Sequence, residues 1–131
     1  MKRHHQLALS VLTGVSIGVA GARAIHAQQT KTPPGYFIAE LEIADRTGIQ
    51  KYGEKVPETL APFKDHYRFL IRGGKPQGLE DEAPRGLVVI AFDSAQQARD
   101  WYDSPAYQAI KPIRQRAAKS RIFIAEGIAP Q

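Results

Sequence analysis

The order in which two hydrophobic periodicities follow one another along this chain limits its fold more than any other feature. From Tyr36 to Ala44 the residues alternate, with Phe37, Ala39, Leu41 and Ile43 on one face and Tyr36, Ile38, Glu40 and Glu42 on the other. That is a strand with one face buried under helices. Behind Asp45, a suitable N-cap, Ile49, Tyr52, Val56 and Leu60 recur at spacings of three, four and four, which predicts a helix. Pro57 and Pro62 predict that it breaks into two short pieces near Lys55, because an interior proline removes a donor and clashes with the preceding turn. His66 to Arg72 alternates again and Gly73-Gly74 ends it. Lys75 to Pro84, with Glu80-Asp81-Glu82, reads as an exposed loop.

Leu87 to Phe92 is a near-continuous apolar run, as expected of a central strand covered on both faces. Ser94 with Gln97 forms a capping box, and Ala95, Ala98, Trp101 and Tyr102 share one helical face. Ser104-Pro105 restarts the helix as cap and first residue, followed by Ala106, Ile110, Ile113 and Ala117, with a kink expected at Pro112. Arg121 to Ile128 returns to period two, Ile122, Ile124 and Glu126 lying opposite Phe123 and Ala125. The succession strand, helix, strand, strand, helix, strand predicts an α+β fold, a ferredoxin-like βαββαβ sandwich. Its four-stranded antiparallel sheet has strands one and three in the centre and both helices on one face. The second face then needs a cover, and Ile38, Leu70 and alternate residues of the third strand favour a second copy across a two-fold axis.

The residues before this pattern have another use. Lys2 and Arg3 precede an uncharged run from Leu7 to Ala20, and small residues follow at Ala22, Ala24 and Ala27. This predicts a signal peptide over residues 1–27, cut after Ala27 or after Ala24, since the 14-residue run is shorter than the roughly 20 residues of a spanning helix. Lys2-Arg3 resembles a degenerate twin-arginine pair, but His4-His5-Gln6 points to the general export route, ending in the periplasm or outside the cell. Residues 28–34, QQTKTPP, are a flexible lead-in, and residues 35–129 form the domain. The whole chain of 131 residues carries a net charge of +5, but the exported part holds 15 basic against 13 acidic side chains, a net +2. Scattered among acids, these do not form the basic stripe that nucleic acid requires. With no cysteine, disulfides, thiolate metal sites and a lipid anchor are excluded. Export leaves no membrane segment.

On the uncovered face the alternation brings Tyr36, Glu40, His66, Arg68 and Arg72 together, with Glu126 joining them. A carboxylate and an imidazole in a partly apolar cavity serve as acid and base, which nominates Glu40 and His66 as catalytic; the plainer reading makes Glu40, Arg68 and Arg72 cross-strand ion pairs. Arg72 with Gly73 and Gly74 offers a clamp for carboxylate or phosphate, or simply a turn in which Arg72 pairs with Glu40 or Asp103. Tyr107, with Trp101 and Tyr102, lines a pocket mouth or packs in the core. Once residues 1–27 are removed His66 is the only histidine, so no metal site is assigned; Ser94 and Ser104 are caps rather than nucleophiles. No phosphate loop or dinucleotide fingerprint is present, and no cofactor is implied.

The segments FLIRGG (69–74), RGLVVIAF (85–92), WYDSPAYQAI (101–110) and Glu126-Gly127 resemble the family known as domain of unknown function 1330, from about Gly35 to Ile128. The chain departs from that family's pattern at Asp65-His66, where a glycine pair is usual, and at Ala91, where a Glu is usual. The resemblance implies a ferredoxin-like fold assembled as a dimeric α/β barrel, and no activity. The reading is an exported homodimer whose paired sheets enclose a small, partly apolar, anionic molecule, held by Tyr36, Glu40, His66, Arg72, Gly73, Tyr107 and Glu126. The alternatives are a cofactor-free enzyme, monooxygenase- or isomerase-like, working through Glu40 and His66 by analogy of fold, and a purely structural dimer.

Overall fold

The structure is a computed structural model and describes residues 31–131; the expected signal peptide and residues 28–30 of the lead-in lie outside the described residues. The elements run β1 (Gly35–Ile43), α1 (Arg46–Leu60), a 3-10 turn (Ala61–Phe63), β2 (Tyr67–Arg72), β3 (Gly86–Phe92), α2 (Ala95–Asp103), α3 (Pro105–Ala117) and β4 (Ala118–Glu126). One antiparallel sheet has the order β2-β3-β1-β4, so β1 and β3 are central as the alternation predicts. All the helices lie on one face of it, because Phe37, Ala39 and Leu41 point that way and are buried.

Each helix begins where the sequence supplies an acceptor. Asp45 accepts from the Gly48 N–H at 3.1 Å, Ser94 from Gln97 at 3.1 Å, and Ser104 from Tyr107 at 3.2 Å. The core between the layers is aromatic. Trp101, Tyr107, Phe92, Leu60 and Ile90 are its largest fully buried side chains, and the Trp101 ring meets Phe37 edge-on at 4.9 Å and stacks on Phe92 at 5.6 Å. The Trp101 indole N–H donates to the Thr59 hydroxyl at 3.0 Å, which satisfies a buried donor. Gly35 allows β1 to touch α2, since a Cβ there would sit 2.3 Å from the Ala95 Cα.

Three local expectations need correcting. The first helix does not break near Lys55: α1 continues through Pro57 to Leu60, and only Pro62 ends it, in the 3-10 turn. Pro57 lies on the exposed side, and the Gly53 carbonyl that loses its donor is only half-buried, so water can serve it. Secondly, β4 starts at Ala118, directly on the end of α3, and stops at Glu126. The third concerns β2, where the pairing with β3 shifts register between Phe69 and Ile71. This bulge at Leu70 adds a residue to β2 and reverses the facing of all that follows it.

Candidate functional site

The reversal at Leu70 determines which face Arg72 serves. Arg68 pairs with Ala91 on the uncovered face, whereas Arg72 pairs with Val88, which lies beside the core. Arg72 therefore stands on the helix side, its guanidinium over the Phe69 ring at 4.7 Å. There it lines a cavity of about 70 Å³ with Phe37, Tyr52, Val56, Val88, Trp101 and Arg114.

Arg114 is the side chain that gives this cavity chemistry. It is 4% exposed, yet among the described residues no carboxylate pairs with it. Its Nε donates to the Tyr107 hydroxyl at 3.3 Å, and that hydroxyl bonds the Tyr52 hydroxyl at 2.9 Å. Burial pushes the Tyr52 phenol well above the ordinary tyrosine range, Tyr107 adds to this, and the Arg114 guanidinium opposes it. Tyr52 is thus a neutral hydrogen-bonding group at physiological pH, and it stands with Tyr107 next to a cation that has lost most of its water. A buried charge without a partner costs several kcal/mol, and an anion entering the cavity would remove that cost. The volume suits the carboxylate end of a small molecule, being about half that of an engineered cavity of 150 Å³ that takes benzene.

The other face of the sheet presents ordered rows. Ile71, Val89, Ile38 and Phe123 form an apolar row across all four strands. Next to it Arg68, Ala91, Tyr36 and Ala125 form a second row. Beyond that, the His66 Nδ1 and Asp93 Oδ2 lie 2.6 Å apart at the edge of an open cleft of about 590 Å³ lined by Tyr36, His66, Arg68, Ala91 and Asp93. Glu40 lies elsewhere on this face, roughly 13 Å along β1 from Tyr36 at strand spacing, and pairs with Arg121 at 2.9 Å.

The residues expected to converge are therefore divided between two places. Tyr36, His66 and Arg68 meet in the open cleft. Glu40 does not reach them, and its partner is Arg121 rather than Arg68 or Arg72. Arg72 is on the opposite face because of the bulge, and Asp103, its other proposed partner, bonds Arg99 at 2.8 Å. Tyr107 is fully buried under the helices, bonded to Tyr52 and Arg114, so it lines no mouth between sheets. Gly73, at φ 70°, makes the turn after β2. Glu126 pairs with Gly35 and shares the facing of Ile122 and Ile124, away from the cleft. Sequence reasoning missed Arg114 and Asp93. The signal for Arg114 was present: Tyr107, Ile110, Arg114 and Ala117, at helical spacing, are the buried stripe of α3.

A two-layer sandwich with an uncovered sheet face and a polar-tipped cavity under its helices belongs to the ferredoxin-like class of α+β proteins. Residues 34–128 match the family described as Domain of unknown function (DUF1330), and the chain belongs to that family. Solved structures share the fold at low identity. A protein of unknown function from Rhodopseudomonas palustris is 15% identical, with a TM-score of 0.59 over 84% of this chain and 94% of that one. A dimeric ferredoxin-like protein of unknown function from Thermobifida fusca is 16% identical, with a TM-score of 0.52 over 76% and 95%. A hypothetical protein from Arabidopsis thaliana is 12% identical, with a TM-score of 0.52 over 81% and 97%. No match is found among curated proteins.

Proposed function

We propose that this chain is an exported protein that binds a small aliphatic carboxylate in the cavity between its helices and its sheet. The observation that carries this reading is Arg114, a guanidinium buried at 4% exposure without a carboxylate of its own among the described residues. The ligand's carboxylate takes the Arg114 fork, which matches it in charge and planar geometry. Its short chain lies against Phe37, Val56, Phe69 and Val88, and Arg72 stands exposed at the rim, where it draws the anion in.

In this reading a second copy packs on the apolar row of the open face. Support comes from the row Ile71, Val89, Ile38 and Phe123, in which Phe123 is 40% and Ile71 37% exposed, and from the dimeric state of the Thermobifida fusca relative in fold. Export is supported by the charged start, apolar run and small residues within residues 1–27. Intact mass of the protein recovered outside the cytoplasm checks it, with loss of residues 1–27 expected and an uncut chain contradicting it.

The binding reading is tested by calorimetric titration with straight-chain monocarboxylates from acetate to octanoate. Saturable binding with an optimum chain length, lost in Arg114→Met, is expected. Absence of binding at every length overturns it.

A further inference from the structure

The cleft on the open face is built around a fixed imidazole. The Asp93 carboxylate takes the His66 Nδ1 at 2.6 Å, which leaves Nε2 as the free nitrogen. The pair is also joined through the backbone, for the Asp93 N–H donates to the His66 carbonyl at 3.1 Å and the His66 N–H to the Phe63 carbonyl at 2.8 Å. Asp65, just before it, is a non-glycine residue at φ 67°, an uncommon conformation that the fold maintains beside this histidine. Tyr36 is seated with equal care: a Cβ on Gly127 would lie 2.5 Å from its ring, and Gly127 donates to the Pro34 carbonyl at 2.8 Å. Tyr36 and Arg68 flank Ala91 in one row, and the small alanine side chain leaves the space between them open. Among the described residues Arg68 forms no ion pair.

We propose that this cleft is a proton-transfer site for 2-oxo carboxylates, separate from the carboxylate cavity on the other face. One cation, one hydroxyl donor and one oriented base match the three polar features of such a molecule. Arg68 holds the carboxylate, the Tyr36 hydroxyl donates to the 2-oxo oxygen, and His66 Nε2 accepts a proton from C3. As the C3–H bond breaks, its electron pair forms the C2–C3 double bond and the carbonyl π pair moves onto oxygen, where Tyr36 stabilises it. The imidazolium beside Asp93 exchanges its proton with solvent and returns one to C3. No oxidant or reductant takes part, and the net change is exchange of the C3 hydrogens through the enolate. Asp93 is a positioning residue, holding Nδ1 so that Nε2 faces the substrate.

The test is deuterium incorporation at C3 of phenylpyruvate in heavy water, followed by proton NMR against a buffer blank. His66 and Asp93 side chains are 55% and 60% exposed, so their variants fold. The purified protein is expected to accelerate exchange, and His66→Gln to remove about 100-fold of it, the scale of one general base. Arg68→Met raises KM with a smaller effect on kcat. Asp93→Asn lowers the rate and also removes the Nδ1–H tautomer preference, read from the imidazole nitrogen shifts. Exchange no faster than the blank, or unchanged in His66→Gln, overturns the proposal.

Discussion

Replacing Arg114 by Met separates a residue kept for binding from one kept for the fold. The substitution retains most of the apolar stem and removes the charge. Against stability stands the lost donation to Tyr107 at 3.3 Å, worth about 1.5–3 kcal/mol for a charged donor at good geometry and less at this length. Tyr107 keeps its bond to Tyr52 at 2.9 Å, so no buried hydroxyl is orphaned. In favour stands relief from burying a cation, 4% exposed and without a carboxylate among the described residues, which costs several kcal/mol. The balance is a ligand-free variant more stable than the wild type by on the order of 1 kcal/mol, an increase in Tm of about 4–8 °C for a domain of this size. Carboxylate reverses the order: at about one hundred times Kd it adds about 2.7 kcal/mol to the wild type and nothing to the variant. Calorimetric melting of both proteins, with and without the best ligand of the series, gives all four numbers. An unliganded variant that loses 2 kcal/mol or more would show Arg114 to be structural and refute the reasoning.

Other perturbations follow from the same geometry. Tyr52 has its folded pKa raised above the unfolded value of about 10, so its contribution is complete below about pH 10 and is lost as pH rises beyond it. Alkaline titration by circular dichroism should therefore show stability falling above about pH 10, and Tyr52→Phe should flatten that fall while costing about 1 kcal/mol at neutral pH; an equally steep fall in the variant contradicts this. Gly35→Ala places a Cβ 2.3 Å from the Ala95 Cα and should cost about 1–3 kcal/mol or more in urea unfolding, and a neutral effect would show that α2 does not press on β1. Val89→Asp puts a charge in the middle of the apolar row of the open face; the proposed pairing of open faces predicts a dimer for the unaltered chain and a monomer for the variant in light scattering, and a monomeric unaltered chain contradicts it.

The architecture was legible because each element carries one clear period and a cap. Phe37, Ala39 and Leu41 fix the buried face of β1, and Asp45, Ser94 and Ser104 fix the helix starts. The site was less legible, for two physical reasons. Alternation assigns a face only while a strand stays in register, and the bulge at Leu70 moved Arg72 from the open face to the helix side without any break in composition. Arginine in a helix is ordinarily read as a solvated residue, so Arg114 escaped notice although it follows Ile110 by four and precedes Ala117 by three in the buried stripe. His66 was found, but its partner Asp93 lies 27 residues away and becomes its neighbour only through the pairing of β2 with β3.

Trp101 is the chain's only tryptophan, it lines the cavity with Arg114, and its indole N–H is held by Thr59 at 3.0 Å. Its indole resonance in a nitrogen–proton correlation spectrum therefore reports on that cavity alone. On titration with the best monocarboxylate the indole peak and the Arg114 Nε–H peak should shift together and saturate with one affinity, and the indole should stay still in Arg114→Met. A titration that moves only exposed arginines, leaving Trp101 and Arg114 unshifted at saturation, would contradict carboxylate binding beneath the helices.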